Sequence, residues 1–234
     1  MDWICVVIGV VFLACVVAGW VQGLFKVLIS VAGLIASIML SVYIAPNVSG
    51  YVQQHTTLDE QLCTFIMEKM EFSDAMEEAS KGEQVELISE LALPDTLKEN
   101  MLNNNNSEVY SLLEASGVHE YIAKSMAMVV INALVFIILV IVSNVFFSTL
   151  GKGLGKITRL PIIRSIDKIG GGMLGCMQGL IVIWMLFLVL AISSTAEVSQ
   201  ELIKAISGNE LLKLLYDNNL LLDIVGDLTR VLFL

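Results

Sequence analysis

The sequence predicts an all-α, polytopic membrane protein with four transmembrane helices and additional amphipathic extracytoplasmic helices. The chain has 234 residues, of which 56% are hydrophobic and only 15% are charged, so it is more apolar than an ordinary soluble domain. The apolar residues are concentrated in four runs, and the charged residues are sorted between the segments that separate them. Each run is close to the roughly 20 residues that a bilayer crossing needs; the runs are 4–21, 27–45, 125–150 and 172–193.

The charged residues are distributed so that one membrane orientation fits every segment. Segment 47–124 holds fifteen acidic and four basic residues, and the tail 194–234 holds six acidic and three basic residues. The loop 151–168 holds five basic residues and one aspartate. Because basic loops stay in the cytoplasm, this loop and Lys26 are predicted to face inward. Four crossings then place both termini and the acidic segment outside.

Four segments follow from this orientation. The first is a helical hairpin whose second helix is predicted to end near Pro46, because proline interrupts helical hydrogen bonding. The first run begins without a basic region and is bracketed by Trp3 and Trp20, which favours a membrane helix over a cleaved signal peptide. The segments are 1–46 (hairpin), 47–124 (acidic, extracytoplasmic), 125–193 (third and fourth crossings with the basic loop 151–168) and 194–234 (amphipathic tail).

The segments outside the apolar runs are predicted to form short amphipathic helices, because their apolar residues recur at helical spacing among carboxylates. An acidic amphipathic helix is not attracted to an anionic lipid surface, so packing on one another or on another subunit is favoured over membrane binding. The predicted helices cover 56–76, 83–91, 96–102, 107–113, 198–206, 210–216 and 220–234.

Glycines recur every four residues at the start of the fourth crossing. Gly171, Gly175 and Gly179 share one helical face, and small residues at this spacing let two helix backbones approach closely in lipid. Gly19 and Gly23 have the same spacing in the short link between the first two crossings. The link could equally use its glycines to make the turn. Both patterns predict helix–helix packing.

Polar residues in or beside the crossings are the candidates for function. Asp167 either caps the fourth helix, by accepting from its free N–H groups, or is an ionisable group at the inner mouth of a pathway. Asn132 and Asn144 lie inside the third run and are predicted to hydrogen-bond a neighbouring helix. Gln178 is a further candidate lining residue.

Basic residues alternate with apolar ones in the inner loop. Clusters of this kind attract anionic lipid headgroups at about 1 kcal/mol per residue, or they serve only to fix the orientation. Both readings remain open for the four basic residues concerned, which are Lys152, Lys156, Arg159 and Arg164.

The sequence does not predict an enzyme. The stretch 151–157 resembles a phosphate-binding loop, but Leu150 and Ile157 stand where that motif needs glycine and a hydroxyl residue. The two histidines lack a paired metal motif and the four cysteines lack CxxC spacing. No cofactor, metal or nucleic-acid partner is therefore predicted. Cys63 is the one cysteine outside the apolar runs, so an impermeant thiol reagent should reach it unless the outer helices bury it.

Two patterns together resemble the colicin V production protein (CvpA) family. One is Asp167-Lys-Ile-x-Gly171-x3-Gly175-x3-Gly179 after a basic loop, and the other is the turn Gln22-Gly-Leu-Phe-Lys26. The resemblance covers all four apolar runs in order. It implies a bacterial cytoplasmic-membrane protein connected with toxin production or export and with envelope upkeep, but no defined reaction.

Three functional hypotheses follow. The first is a non-enzymatic membrane protein that assembles through its glycine faces, with itself or with other membrane proteins, and supports export or envelope homeostasis. The second is an oligomeric channel or transporter subunit with a polar path near Asp167. The third is a receptor-like module whose acidic outer segment binds a cationic partner.

Overall fold

The computed structural model describes residues 3–70, 81–91, 93–154 and 164–231. In these ranges the regular structure is α-helical, and no strand is present. The helices of the described ranges are α1 (Trp3–Gln22), α2 (Leu24–His55), α3 (Leu58–Met70), α4 (Lys81–Glu90), α5 (Asp95–Asn103), α6 (Ser107–Leu112), α7 (Val118–Leu154), α8 (Arg164–Ile192), α9 (Glu197–Ser207), α10 (Glu210–Asp217) and α11 (Leu220–Val231).

Four of these helices are long and apolar enough to cross a membrane, namely α1, α2, α7 and α8. They contain the four apolar runs of the sequence, and the all-α, polytopic membrane fold is thereby confirmed. The short amphipathic helices are also present, with slightly shifted ends. Residues 71–76 of the first predicted short helix lie outside the described residues, as do the last residues of the tail.

The prediction that the second helix ends near Pro46 is wrong, because α2 continues through this residue to His55. On both sides of the proline one face of α2 is packed: Ala45 and Ser49 are each only 1% exposed. Packing of this face compensates for the hydrogen bond that proline removes, and membrane helices tolerate proline for the same reason.

The third and fourth crossings begin earlier than their apolar runs indicate. α7 begins at Val118 rather than near 125, and α8 begins at Arg164 rather than near 172. At 1.5 Å per residue, the 37 residues of α7 make a helix of about 55 Å, which exceeds the roughly 30 Å hydrocarbon core. Part of α7 therefore extends beyond the hydrocarbon.

The chain forms two compact units, and α2, α7 and α8 contribute residues to both. The first unit comprises 1–44 and 136–186. In it α2 packs on α7: a Cβ at Gly151 would meet Ile29 and a Cβ at Gly33 would meet Phe147. The residue number of the contact falls along α7 as it rises along α2. The two helices are therefore antiparallel.

The second unit comprises 45–135 and 187–234 and is formed by the short helices together with parts of the long ones. Its core contains Tyr121, Leu188 and Leu222, none more than 1% exposed, from α7, α8 and α11. The hydroxyl of Tyr121 donates to the carbonyl oxygen of Met101 at 2.6 Å. This bond ties α5 to the start of α7.

The side chains of Lys152, Lys156, Arg159 and Arg164 lie outside the described residues. The hypothesis that they contact lipid headgroups stays a prediction.

Candidate functional site

The glycines of α8 contact the backbone of α1 within the same chain. A Cβ at Gly175 would lie 2.7 Å from the carbonyl oxygen of Cys15 and 3.1 Å from the Cα of Val16. A Cβ at Gly171 would collide with the carbonyl oxygen of Gly19, and a Cβ at Gly19 would collide with that of Gly171. Only glycine fits at these positions, because the obstructing atoms are backbone and cannot rotate away.

Gly179 extends the contact with a looser fit. A Cβ at this position would lie 3.0 Å from Cδ2 of Phe12 and 3.2 Å from Cβ of Cys15, both of which are side-chain atoms. The residue number of the contact falls along α1 as it rises along α8. These two helices are therefore antiparallel as well.

The predicted use of these glycines in helix packing is thus seen inside one chain. Within the chain α1 already contacts Gly171 and Gly175. Association between copies, through these glycines or through another surface, stays a prediction. The face of α1 turned away from α8 is available for it, with Val6, Val10 and Leu13 about 60% exposed.

Asp167 lies in the first turn of α8. Its carboxylate was predicted to cap α8 itself, but it bonds α2 instead. Its Oδ1 accepts the backbone N–H of Leu24 at 2.9 Å, and Leu24 is the first residue of α2. The first N–H groups of a helix have no partner within it, and a carboxylate there also complements the helix dipole. Asp167 therefore caps α2.

Gly23 makes room for this cap. It is the single residue between α1 and α2, and its φ of 85° lies in the left-handed region that favours glycine. A Cβ at Gly23 would collide with the Asp167 carboxylate. The N–H of Gly23 donates to the carbonyl oxygen of Gly19 at 3.0 Å, which closes the end of α1.

Substitutions in this turn should have graded effects on the free energy of unfolding in detergent. Gly23→Ala should cost about 2 kcal/mol through backbone strain, and Asp167→Ala about 1 kcal/mol through loss of the cap. Asp167→Asn should cost only about 0.5 kcal/mol, because it keeps an oxygen acceptor and loses only the interaction of the charge with the dipole. An Asp167→Asn variant that folds normally yet has no biological activity would contradict a purely structural role.

Asn132 belongs to a buried hydrogen-bond network in the second unit. Its Oδ1 accepts the hydroxyl of Ser49 on α2, and its Nδ2 donates to Oγ1 of Thr229 on α11 at 3.0 Å. Thr229 donates in turn to the carbonyl oxygen of Val225 at 3.0 Å, and Gln53 donates to Oγ of Ser49 at 3.3 Å. The network joins three helices, and its three central side chains are at most 7% exposed.

Sequence reasoning identified Asn132 but neither of its partners. Ser49 lies beyond Pro46, where the second helix was expected to end, and Thr229 lies in the tail. The spacing Ser37-Ser41-Ala45-Ser49 was an available signal: four small residues at intervals of four, all 0–1% exposed, predict a helix face that continues through the proline.

The other polar candidates do not belong to the hydrogen-bond network of Asn132. Asn144 and Gln178 are partly exposed, and neither has a hydrogen-bond partner among the residues that the structure describes. Asn144 is 12 positions from Asn132 in the sequence, which corresponds to about 18 Å along α7. Asp167 and Asn132 belong to different units. The described ranges hold no group of three or more His, Cys, Asp or Glu side chains able to bind a metal ion.

Comparison with known families gives one partial match. Residues 109–215 match the family model described as colicin V production protein, a stretch that runs from α6 through α7 and α8 into α10. Comparisons with curated proteins and with solved structures give no match. The matched region contains both of the later candidate crossings, Asp167 and the glycines of α8, and over this stretch the chain is similar to the colicin V production protein family.

Proposed function

We propose that this protein is a non-enzymatic component of the bacterial cytoplasmic membrane that supports toxin production or export, or envelope homeostasis. The observation that carries the proposal is the family match over residues 109–215 in a chain with four candidate membrane crossings. The polar residues of the crossings favour a structural role, because Asp167 caps α2 and Asn132 bonds α2 to α11 through α7.

Complementation tests this function. Cells that lack the protein and have a measurable defect in toxin export or envelope integrity would receive the parent chain, Gly171→Ala or Gly9→Ala. The parent and Gly9→Ala should restore the phenotype, because a Cβ at Gly9 meets no atom within 4 Å. Gly171→Ala should fail. Full restoration by Gly171→Ala would contradict the proposed dependence on the α1–α8 contact, and failure of the parent would contradict the proposed function.

Ion flux separates this proposal from the channel hypothesis. Purified protein in liposomes should conduct no more than empty vesicles, since Asp167 and Asn132 are each held by hydrogen bonds to neighbouring helices. A current that disappears in Asp167→Asn would favour a pathway past this residue instead.

The proposed orientation places the acidic segment 47–124 outside and the start of α8 inside. Ser89 on α4 and Lys168 on α8 are both exposed, so cysteines introduced there in a background without native cysteines report the two sides. Ser89→Cys should react with an impermeant thiol reagent in intact cells, and Lys168→Cys only after the membrane is permeabilised. The reverse pattern would invert the topology.

Native Cys63 is unsuitable for this measurement. It is 8% exposed, and burial raises the pKa of its thiol, so less of the reactive thiolate is present at neutral pH. Its labelling should be slow in the folded protein and should accelerate as pH rises. Denaturant should accelerate it much further, by exposing the thiol. Labelling of the folded protein as fast as that of a free thiol would contradict the burial of Cys63.

A further inference from the structure

The second unit contains an apolar cavity of about 70 Å³. Its walls come from α3, α5, α7 and the end of α8, and they include Ile66, Leu97, Met101, Met126 and Ala191. These five side chains are at most 6% exposed. Much of the wall is therefore made of buried side chains.

The chemistry of the walls selects an apolar occupant. Among the described residues no charged side chain lines the cavity, and Ser194 and Thr195 supply the polar side chains of its wall. The volume is roughly five times the minimum that one water molecule needs. Water needs two to four polar partners to occupy a buried site, whereas apolar cavities stay dry or bind apolar guests.

The position of the cavity in the fold indicates where such a guest comes from. Met126 and Val130 belong to the candidate crossing in α7, and Ala191 and Ile192 are the last residues of the candidate crossing in α8. The wall also includes Phe65, which is 48% exposed. The lining thus continues, along α7 and α8, into two of the candidate membrane crossings.

We propose that this cavity binds the end of one lipid acyl chain from the adjoining membrane leaflet. An acyl chain is the apolar molecule at highest local concentration around these helices. Val130 and Ile192, which line the cavity on the candidate crossings, are partly exposed and offer it a way in. The proposal commits to lipid; a small apolar solute or an empty space is an alternative outcome of the test. It is independent of the role in export or envelope upkeep.

Photocrosslinking in a bilayer tests the proposal. The full chain would be placed in nanodiscs of phosphatidylethanolamine and phosphatidylglycerol that contain phosphatidylcholine with a diazirine at the end of one acyl chain. After irradiation, mass spectrometry should find adducts on Met101 and Met126, which surface lipid does not reach. Adducts confined to exposed residues of α7 such as Ile138 and Val142, 57% and 61% exposed, would overturn it.

A variant whose side chain fills the cavity provides the matched comparison with the parent protein. Ala191→Leu adds side-chain volume at the cavity wall and should lower the adducts on Met101 and Met126 by about tenfold, or about 1.4 kcal/mol of binding free energy. Val189→Leu, on the exposed side of the same helix, should leave them unchanged. If Ala191→Leu fails to fold, Val130→Leu fills the same space. A folded filling variant with parental labelling at both methionines would overturn the proposal.

Discussion

Gly171→Ala should lower the free energy of unfolding by about 3 kcal/mol, the upper part of the usual range for overpacking a close contact. The added methyl group would collide with the carbonyl oxygen of Gly19 and would lie 2.9 Å from the carbonyl carbon of Gly23. Both obstructing atoms are backbone, so relief requires α1 and α8 to move apart. Thermal or denaturant unfolding in detergent measures the loss.

Two alanine variants serve as controls for this effect. Gly179→Ala should cost less, about 1 kcal/mol, because its new methyl group meets side-chain atoms of Phe12 and Cys15 that can shift. Gly9→Ala, on α1 itself, should be neutral or stabilising by up to about 1 kcal/mol through helix propensity. Equal stability of all three variants would show that α1 and α8 do not approach as closely as described.

Asn132→Leu should lower the free energy of unfolding by about 2 kcal/mol. Leucine has nearly the shape of asparagine but leaves the hydroxyl of Ser49 without an acceptor and Oγ1 of Thr229 without its donor. A buried polar group that loses its partner costs about 1–3 kcal/mol, and measured hydrogen bonds between membrane helices reach about 1.7 kcal/mol. The loss should appear in the same unfolding assay.

A triple variant separates hydrogen bonding from packing. Asn132→Leu with Ser49→Ala and Thr229→Val removes the three central side chains together. The side-chain donor left over is that of Gln53, which is only partly buried, so part of the stability should return. Asn144→Leu on the same helix should be nearly neutral, because Asn144 is partly exposed and has no partner among the described residues. A single Asn132 variant as stable as the parent would mean that the network contributes nothing.

The sequence was sufficient to predict the number and order of the crossings, because bilayer thickness imposes a length on each apolar run. It was also sufficient to predict that the glycines of α8 pack on a helix, because spacing alone decides which residues share a face. It did not identify α1 as that helix. Both α1 and α2 are apolar on most sides, so composition does not distinguish them.

The partner of Asp167 could not be predicted for a related reason. A carboxylate in the first turn of a helix is usually interpreted as a cap of that helix. Here the Asp167 carboxylate accepts the N–H of Leu24, 143 residues away. The two residues meet only because α8 approaches the turn at Gly23. Local rules fail at Pro46 as well, since the packed face formed by Ala45 and Ser49 outweighs the tendency of proline to end a helix.

The bond between Leu24 and Asp167 also sets an order of events during synthesis. The two residues are 143 positions apart, and at translation rates of 5–20 residues per second the ribosome needs roughly 7–30 s to cover that distance. Until the fourth crossing emerges, the N–H of Leu24 depends on water or on the insertion machinery for a partner. The joint between the first two crossings is therefore among the earliest parts of the protein to be made and among the last to be completed.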